Sequence, residues 1–293
     1  MKINFYGRLL NAYKSALHTH STVSDGDLTP DEVVDIYKQA GYDVLAFSDH
    51  HKTNAVSTYD GKGMTLISGI ELHPTGPRNV TWHLLALGVP EDFPGKYPTA
   101  QAAIDAVRAV DGIIFCAHPS GYFSAYDILP LRGISGIEVA NTNGRFIGRE
   151  SNETVWNELI AEGFHCPALG VDDIHTLCDF NNNWTVIMAE NKEPETILQA
   201  LKKGQFYASQ GPEFTRLEWN DGVFEADFSE VIEAFVYGYP GLDIITTPGF
   251  PTPDSSAKLT TLRCKPGDNF RGVLRCRIRD ANNRCAWSAP ISF

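Results

Sequence analysis

Histidines and carboxylates recur in this chain at the ends of short apolar runs. They fall at Leu17-His18-Thr19-His20, Ser48-Asp49-His50-His51, Ile70-Glu71, Ala117-His118-Pro119, Ile137-Glu138 and Val171-Asp172-Asp173-Ile174-His175. Side chains two residues apart on an extended strand point the same way, so His18 and His20 can grip one ion, and Asp173 and His175 repeat that spacing. Mixed imidazole and carboxylate donors suit Zn, Mn or Fe, and the lack of thiolates leaves coordination positions open to water. A single buried His or Asp is more often a hydrogen-bonded core group than a ligand. Repetition at one structural position across the chain reverses that reading. His165, in Gly163-Phe164-His165-Cys166, stands outside the pattern and reads as structural.

Ligands this far apart in sequence must be gathered by the fold. From residue 14 to about 205 the chain alternates β-rich apolar runs with amphipathic stretches, which predicts βα units around a parallel sheet or barrel whose C-terminal strand ends share one mouth. The candidate strands are Ala16-Leu17-His18, Val44-Leu45-Ala46-Phe47, Leu66 to Ile70, Leu84 to Leu87, Ile113 to Cys116, Gly136 to Val139 and Ala168 to Val171. Thr29-Pro30-Asp31-Glu32 is a capping box that opens a helix closing at Gly41. Further helices fit Thr99 to Asp111, Ser151 to Glu162 and Pro194 to Lys203, each followed by glycine. After about residue 212 aromatic and β-branched runs separated by turn residues predict a small antiparallel β domain, with a surface loop over Thr246 to Ser256. The expected division is 1–211 and 212–293.

The segments His18-Thr19-His20-Ser21-Thr22-Val23-Ser24-Asp25-Gly26, Ser48-Asp49-His50, Gly69-Ile70-Glu71, His83-Leu84-Leu85-Ala86-Leu87-Gly88, Ala117-His118-Pro119, Gly136 to Asn141 and Asp173-Ile174-His175 resemble, in order and wording, the PHP (polymerase and histidinol phosphatase) superfamily. Shorter segments, Gln205 to Glu213 and Arg279 to Ile291, resemble the two-domain branch that includes carbaryl hydrolase-like metalloproteins. The resemblance implies a distorted (β/α)7 barrel with two or three divalent metal ions at the C-terminal mouth. It implies His18, His20, Asp25, His50, Glu71, His83, His118, Asp173 and His175 as ligands, with Glu71 bridging two metals. Asp25 stands where several members have histidine. His83 opens its candidate strand instead of ending it, so His73 is a rival for its role.

The function that follows is a metal-dependent hydrolase, foremost a phosphoesterase acting on a small phosphorylated metabolite or nucleotide through a metal-bridged hydroxide. A carboxyl ester or carbamate hydrolase with the same centre is the alternative, and a non-catalytic metal-binding module is a third reading. Asp49 and Asp172 are expected to orient ligand histidines from behind. His51 and His73 are candidates for leaving-group acid, and Lys52, Arg78, Arg145 or Arg149 for the substrate anion.

The 293 residues are enough for one large domain and a small companion. A net charge of -12 argues against nucleic acid or anionic membrane held by bulk electrostatics, and leaves a small anionic molecule drawn by local positive charge as the expected partner. No apolar run approaches the ~18 residues of a membrane span. The charged N-terminal stretch lacks the core of a secretory signal, and six cysteines form no C-x-x-C pair, so a cytoplasmic protein with buried free thiols is expected.

Overall fold

The computed structural model describes residues 1–240, 243–246, 258–267 and 272–292. The expected surface loop from Thr246 to Ser256 lies outside the described residues beyond its first position. The chain opens with β1 (Lys2–Phe5) and β2 (Arg8–Ala16), an antiparallel pair, and β2 leads directly into the His18 segment. Then follow β3 (Val44–Phe47), β4 (Thr65–Leu72), β5 (Leu84–Leu87), β6 (Ile113–Cys116), β7 (Gly136–Asn141) and β8 (Ala168–Val171), hydrogen-bonded in that order from β2. A parallel bridge between Thr19 and Ile174 joins the far end of β8 back to the end of β2, so the sheet curls round on itself at the mouth.

Four helices fall where the capping signals place them: α1 (Pro30–Gln39), α2 (Ala100–Ala109), α4 (Glu153–Ala161) and α5 (Pro194–Lys202). The short α3 (Ala125–Ile128) lies between β6 and β7. At the start of α1, Thr29 accepts from the Glu32 backbone N–H while Glu32 accepts from the Thr29 N–H, satisfying two donors that a helix start would otherwise orphan. No α-helix separates β4 from β5, only a single 3-10 turn at Pro77–Asn79. That absence carries a correction to the all-parallel expectation, because β5 pairs antiparallel with both β4 and β6. A crossover helix is needed only between parallel neighbours, and a reversed strand dispenses with it. Inside the ring Leu17, Val44, Ile67, Leu87, Phe115 and Val171 belong to one buried apolar cluster that closes the floor below the mouth.

Besides β1, two further strands before the β domain are not among those the sequence suggests. β9 (Trp184–Ala189) and β10 (Phe206–Ser209) are paired antiparallel, and β9 also runs antiparallel to β2. Beyond them come β11 (Phe214–Asn220), β12 (Val223–Val231), β13 (Glu233–Tyr239), β14 (Asp243–Thr246), β15 (Leu259–Cys264), β16 (Val273–Arg279), β17 (Cys285–Ser288) and β18 (Ile291–Ser292). Their pairings are antiparallel: β11 with β12, β12 with β15, β13 with β14 and β16, and β16 with β17 and β18. β1 lies parallel to β11, with Phe5 opposite Leu217, and β10 pairs with β17. Ile3, Phe5, Leu10 and Ala12 therefore share a core with Leu217, Phe224, Val236 and Ile278.

A buried charged cluster ties β16 to α4. Arg275, 0% exposed, bonds Glu153 Oε1 at 2.6 Å and the Tyr239 hydroxyl at 3.0 Å, and also reaches Asn157. Its guanidinium lies 4.5 Å from the Trp156 ring centroid and 4.4 Å from that of Tyr237. Arg277 completes the arrangement at 3.0 Å from Glu153 Oε2. Of the six free cysteines, Cys116, Cys166, Cys264 and Cys276 are buried as expected, whereas Cys178 is exposed.

Candidate metal centre

All nine expected ligands meet at the mouth. His18 Nε2 and His20 Nε2 approach Asp173 Oδ1 at 3.3 and 3.1 Å, and Glu71 Oε2 at 3.4 and 3.5 Å. On the other side of the Glu71 carboxylate, Oε1 lies 2.8 Å from His83 Nδ1 and 3.5 Å from His118 Nε2. A third group forms where Asp25 faces His50 Nε2 at 3.5 Å and His175 Nε2 at 3.6 Å, beside His20. The two oxygens of Glu71 thus look into adjacent clusters.

The reversed strand explains the placement of His83. Because β5 runs against β4 and β6, its start sits level with their ends, with Leu84 opposite both Leu72 and Cys116. His83 consequently stacks on His73 at 4.1 Å and lies 4.8 Å from His118, ring to ring. His73 is also close, with Nε2 3.5 Å from Glu71 Oε2.

The cluster has the marks of a cation site. His18 Nε2, both ring nitrogens of His20, His50 Nδ1, His73 Nε2, Glu71 Oε2 and Asp173 Oδ1 are buried, and although His50 Nδ1 comes within 2.7 Å of Glu71 Oε2 and His20 Nε2 within 3.1 Å of Asp173 Oδ1, none makes a hydrogen bond of proper direction. Buried polar atoms are nearly always satisfied, and these face one another, so a shared cation is the partner that fits them. The donors are nitrogen and oxygen, suited to a divalent first-row metal. Burial alone would raise the carboxyls of Glu71 and Asp173. The surrounding histidines, His83 and His18 about the first and His18 and His20 about the second, more than reverse this and hold both well below the usual carboxylate range. Burial opposes a charge on His118 too, yet Glu71, Asp173 and Glu138 raise it to about 9. Metal binding at this mouth must therefore displace protons. His51, His118 and Asp173 all have positive φ (59°, 26° and 52°), a conformation that costs non-glycine residues and persists where the surroundings impose it.

Glu138 is the carboxylate behind the histidines. Its Oε1 is 2.6 Å from His18 Nδ1, while Oε2 accepts from the His118 backbone N–H and from Asn141 Nδ2, each at 2.8 Å. Asn141 also donates to Asp173 Oδ2 at 3.0 Å, so one buried pair fixes three ligand segments. The strand-end carboxylate pattern contained this signal. Glu138→Gln is expected to weaken metal affinity by about 10–100-fold, read by competition with a chromogenic chelator. Unchanged affinity would reduce Glu138 to a strand anchor.

Asp49 and Asp172, expected behind the histidines, instead hold loops. Asp49 accepts from the backbone and hydroxyl groups of Ser21 and Ser24 and from Asn54, shaping the turn that carries Asp25. Asp172 accepts from Tyr37, Thr142 and the Asn181, Asn182 and Asn183 N–H groups. Neither bonds a histidine among the described residues.

Beside the cluster opens a cavity of about 220 Å³, whose lining includes the ligand candidates His50, Glu71, His83, His118, Asp173 and His175 together with Tyr122, Phe146 and Arg149. His51 and His73 lie edge to face at 4.6 Å, outside this lining. Of the four expected cations, Arg145 is held by Asp179 at 2.6 Å, Arg78 by Asp127 at 3.0 Å, and Lys52 Nζ donates to the Val23 carbonyl at 3.3 Å. Arg149 alone lines the cavity, and sequence spacing contained nothing to single it out.

A two-domain protein from Bacteroides vulgatus, described as containing a predicted PHP-like metal-dependent phosphoesterase, matches this structure with a TM-score of 0.56 at 15% identity, over 97% of this chain and 95% of that one. The fold is PHP-like. Two curated proteins resemble part of the PHP-like chain in sequence. A phosphoribosyl 1,2-cyclic phosphate 1,2-diphosphodiesterase of Eggerthella lenta is 35% identical over 83 residues, 27% of this chain and 32% of that protein. A 3′,5′-nucleoside bisphosphate phosphatase of Chromobacterium violaceum is 35% identical over 96 residues, 31% and 32% of the respective chains. The chain spans about a third of the length of these curated relatives. No family model matches it, and among the described residues no helix is long and apolar enough to cross a membrane.

Proposed function

We propose that the protein is a metal-dependent phosphoesterase acting on a small phosphorylated molecule. The observation that carries this is the convergence of nine histidines and carboxylates, Glu71 among them, into adjoining clusters beside an open cavity, two of the clusters facing the two oxygens of Glu71. The names of the two curated relatives, a diphosphodiesterase of a cyclic phosphate and a bisphosphate phosphatase, support phosphate esters as the substrate class.

In this reading His18, His20 and Asp173 hold one ion, His83 and His118 a second, and Asp25, His50 and His175 a third, with Glu71 shared between the first two. Zn, Mn and Fe suit the donor set. Such ions, when bound, activate water and neutralise charge on phosphoryl oxygens. The chain's own part is to orient. Glu138 and Asn141 keep the His18, His118 and Asp173 side chains aimed inward, and the mouth leaves the ester phosphorus open to in-line approach by water. In the overall reaction the P–O bond to water forms as the ester P–O bond breaks, and the leaving oxygen takes a proton. We also read the curled sheet as a distorted seven-stranded barrel of the (β/α)7 kind, and propose a division at 211/212 into this catalytic part and a small β domain.

The test is hydrolysis by metal-replete protein of an aryl phosphomonoester, an aryl phosphodiester, a nucleotide, an aryl carboxyl ester and an aryl carbamate. Release from the phosphate esters that a chelator stops and added metal restores is the expected result. Turnover of the carboxyl ester or carbamate alone, or none at all with metal bound, would overturn it.

A further inference from the structure

We propose that Asn152 is a positioning residue for the His118 side of the centre, and that the C-terminal strands share in holding it through Arg275 and Arg277. This rests on the reading of His118 as a metal ligand. His118 needs support from outside its own segment. Its φ of 26° is costly for a non-glycine residue, and the Pro119 that follows steers its backbone toward extended values instead. One restraint lies on its own N–H, which Glu138 Oε2 accepts at 2.8 Å. A second lies just beyond the proline. Ser120 N–H donates to Asn152 Oδ1 at 2.7 Å, and the Ser120 hydroxyl donates to the Ser151 carbonyl at 3.1 Å.

Asn152 stands at the N-cap of α4 and is fully buried. An asparagine there ordinarily turns its side-chain oxygen onto the free N–H groups of its own helix. Here it makes no such bond, and the oxygen goes to Ser120. The side chain therefore serves the loop that carries His118 and not the helix it opens. On its other flank the backbone is fixed to β7, since Asn152 N–H donates to the Val139 carbonyl at 2.8 Å and Ser151 bridges Ala140. The next residue, Glu153, carries the restraint to β16. Its Oε1 takes Arg275 at 2.6 Å and its Oε2 takes Arg277 at 3.0 Å. A carboxylate gripped by two guanidiniums, that of Arg275 wholly buried, fixes the first turn of α4 against β16. Bonded residues thus lead from β16 through Glu153 and Asn152 to Ser120, two positions from His118. With Glu153 released, the head of α4 can shift and the Asn152 oxygen loses its alignment on Ser120.

Two variants test this. Asn152→Ala removes the acceptor, and the triple exchange Glu153→Gln, Arg275→Met and Arg277→Met removes the clamp while leaving no unpaired charge, so the fold should be kept. Zinc-loaded protein titrated with a chromogenic chelator should give up one ion at about 10–100-fold lower chelator concentration in Asn152→Ala. In the triple variant the same ion should leave at about 2–30-fold lower concentration, the other ions being held as in the wild type. In the metal-free proteins, amide hydrogen exchange at His118 and Ser120 should quicken in both variants while β6 and β7 keep wild-type protection. Unchanged exchange at His118 and Ser120 in either variant would overturn the proposal. So would loss of protection throughout the triple variant, or equal weakening of every ion, since both mark ordinary destabilisation. Should Asn152→Ala fail to fold, the triple variant decides alone. Should the wild type bind no zinc, the reading of His118 as a ligand fails, and the exchange result still decides whether Asn152 and β16 hold its loop.

Discussion

Glu71→Gln is expected to lower kcat/KM for phosphate ester hydrolysis by about 10³-fold or more, beyond what loss of a single electrostatic contact usually costs. The reason is that one carboxylate serves several groups. Oε2 faces His18, His20, His50 and His73, and Oε1 faces His83 and His118. An amide has one acceptor oxygen, and its NH₂ would turn a donor toward whichever cluster the oxygen leaves. It also removes the negative charge that offsets the cations on both sides. Metal content per chain should fall in parallel, measured by elemental analysis, while far-UV circular dichroism stays that of the wild type. A Gln variant that keeps full metal and activity within about tenfold of the wild type would remove Glu71 from the centre of the chemistry.

Arg275→Ala should cost about 3–5 kcal/mol of stability, the range for breaking a buried ion pair from one side. The substitution strips Glu153 of one of its two cations and empties the space between the Trp156 and Tyr237 rings. Burial raises the Glu153 carboxyl, and Arg275 and Arg277 together bring it below its ordinary value. Its contribution is consequently present above the usual carboxylate range and lost as pH falls through the depressed value. Chemical denaturation near neutral pH reads the loss, and the wild-type margin over Arg275→Ala should narrow in acid. Replacing the whole cluster, Glu153→Gln with Arg275→Met and Arg277→Met, should recover much of the stability, since no unpaired charge is left behind. A change below about 1 kcal/mol for the single variant would mean that the cluster is dispensable packing.

The parts of the fold that could be read from sequence are those where one local signal suffices. β3, β5, β6 and β8 are short, continuously apolar runs, and they and β7, broken by Glu138 and Asn141, are buried throughout. The four longer helices carry caps or closing glycines. The direction of β5 is different, because an apolar run reads the same in a parallel or an antiparallel strand and the missing crossover helix was the only clue. β2 mixes buried Leu10, Ala12 and Ser15 with half-buried Asn11, Tyr13 and Lys14, which hid all but its last residue. At the site, residue type and position, with the family resemblance, sufficed to name the side chains that the fold gathers at the mouth. What Asp49 and Asp172 do was not legible, since a carboxylate beside a histidine in sequence can turn to either side of the backbone. Arg149 was one arginine among several until folding set it against Tyr122.

The pairing of β1 with β11 bears on the order in which the chain can settle as it is made. Phe5 lies against Leu217 and Ile3 shares its core with strands formed still later. Vectorial synthesis delivers the curled sheet well before those partners emerge, so Ile3 and Phe5, which precede that sheet in the sequence, wait for cover until after it has been made. The mouth can close round its histidines and carboxylates while the opposite end of the same strand, β2, is still unfinished.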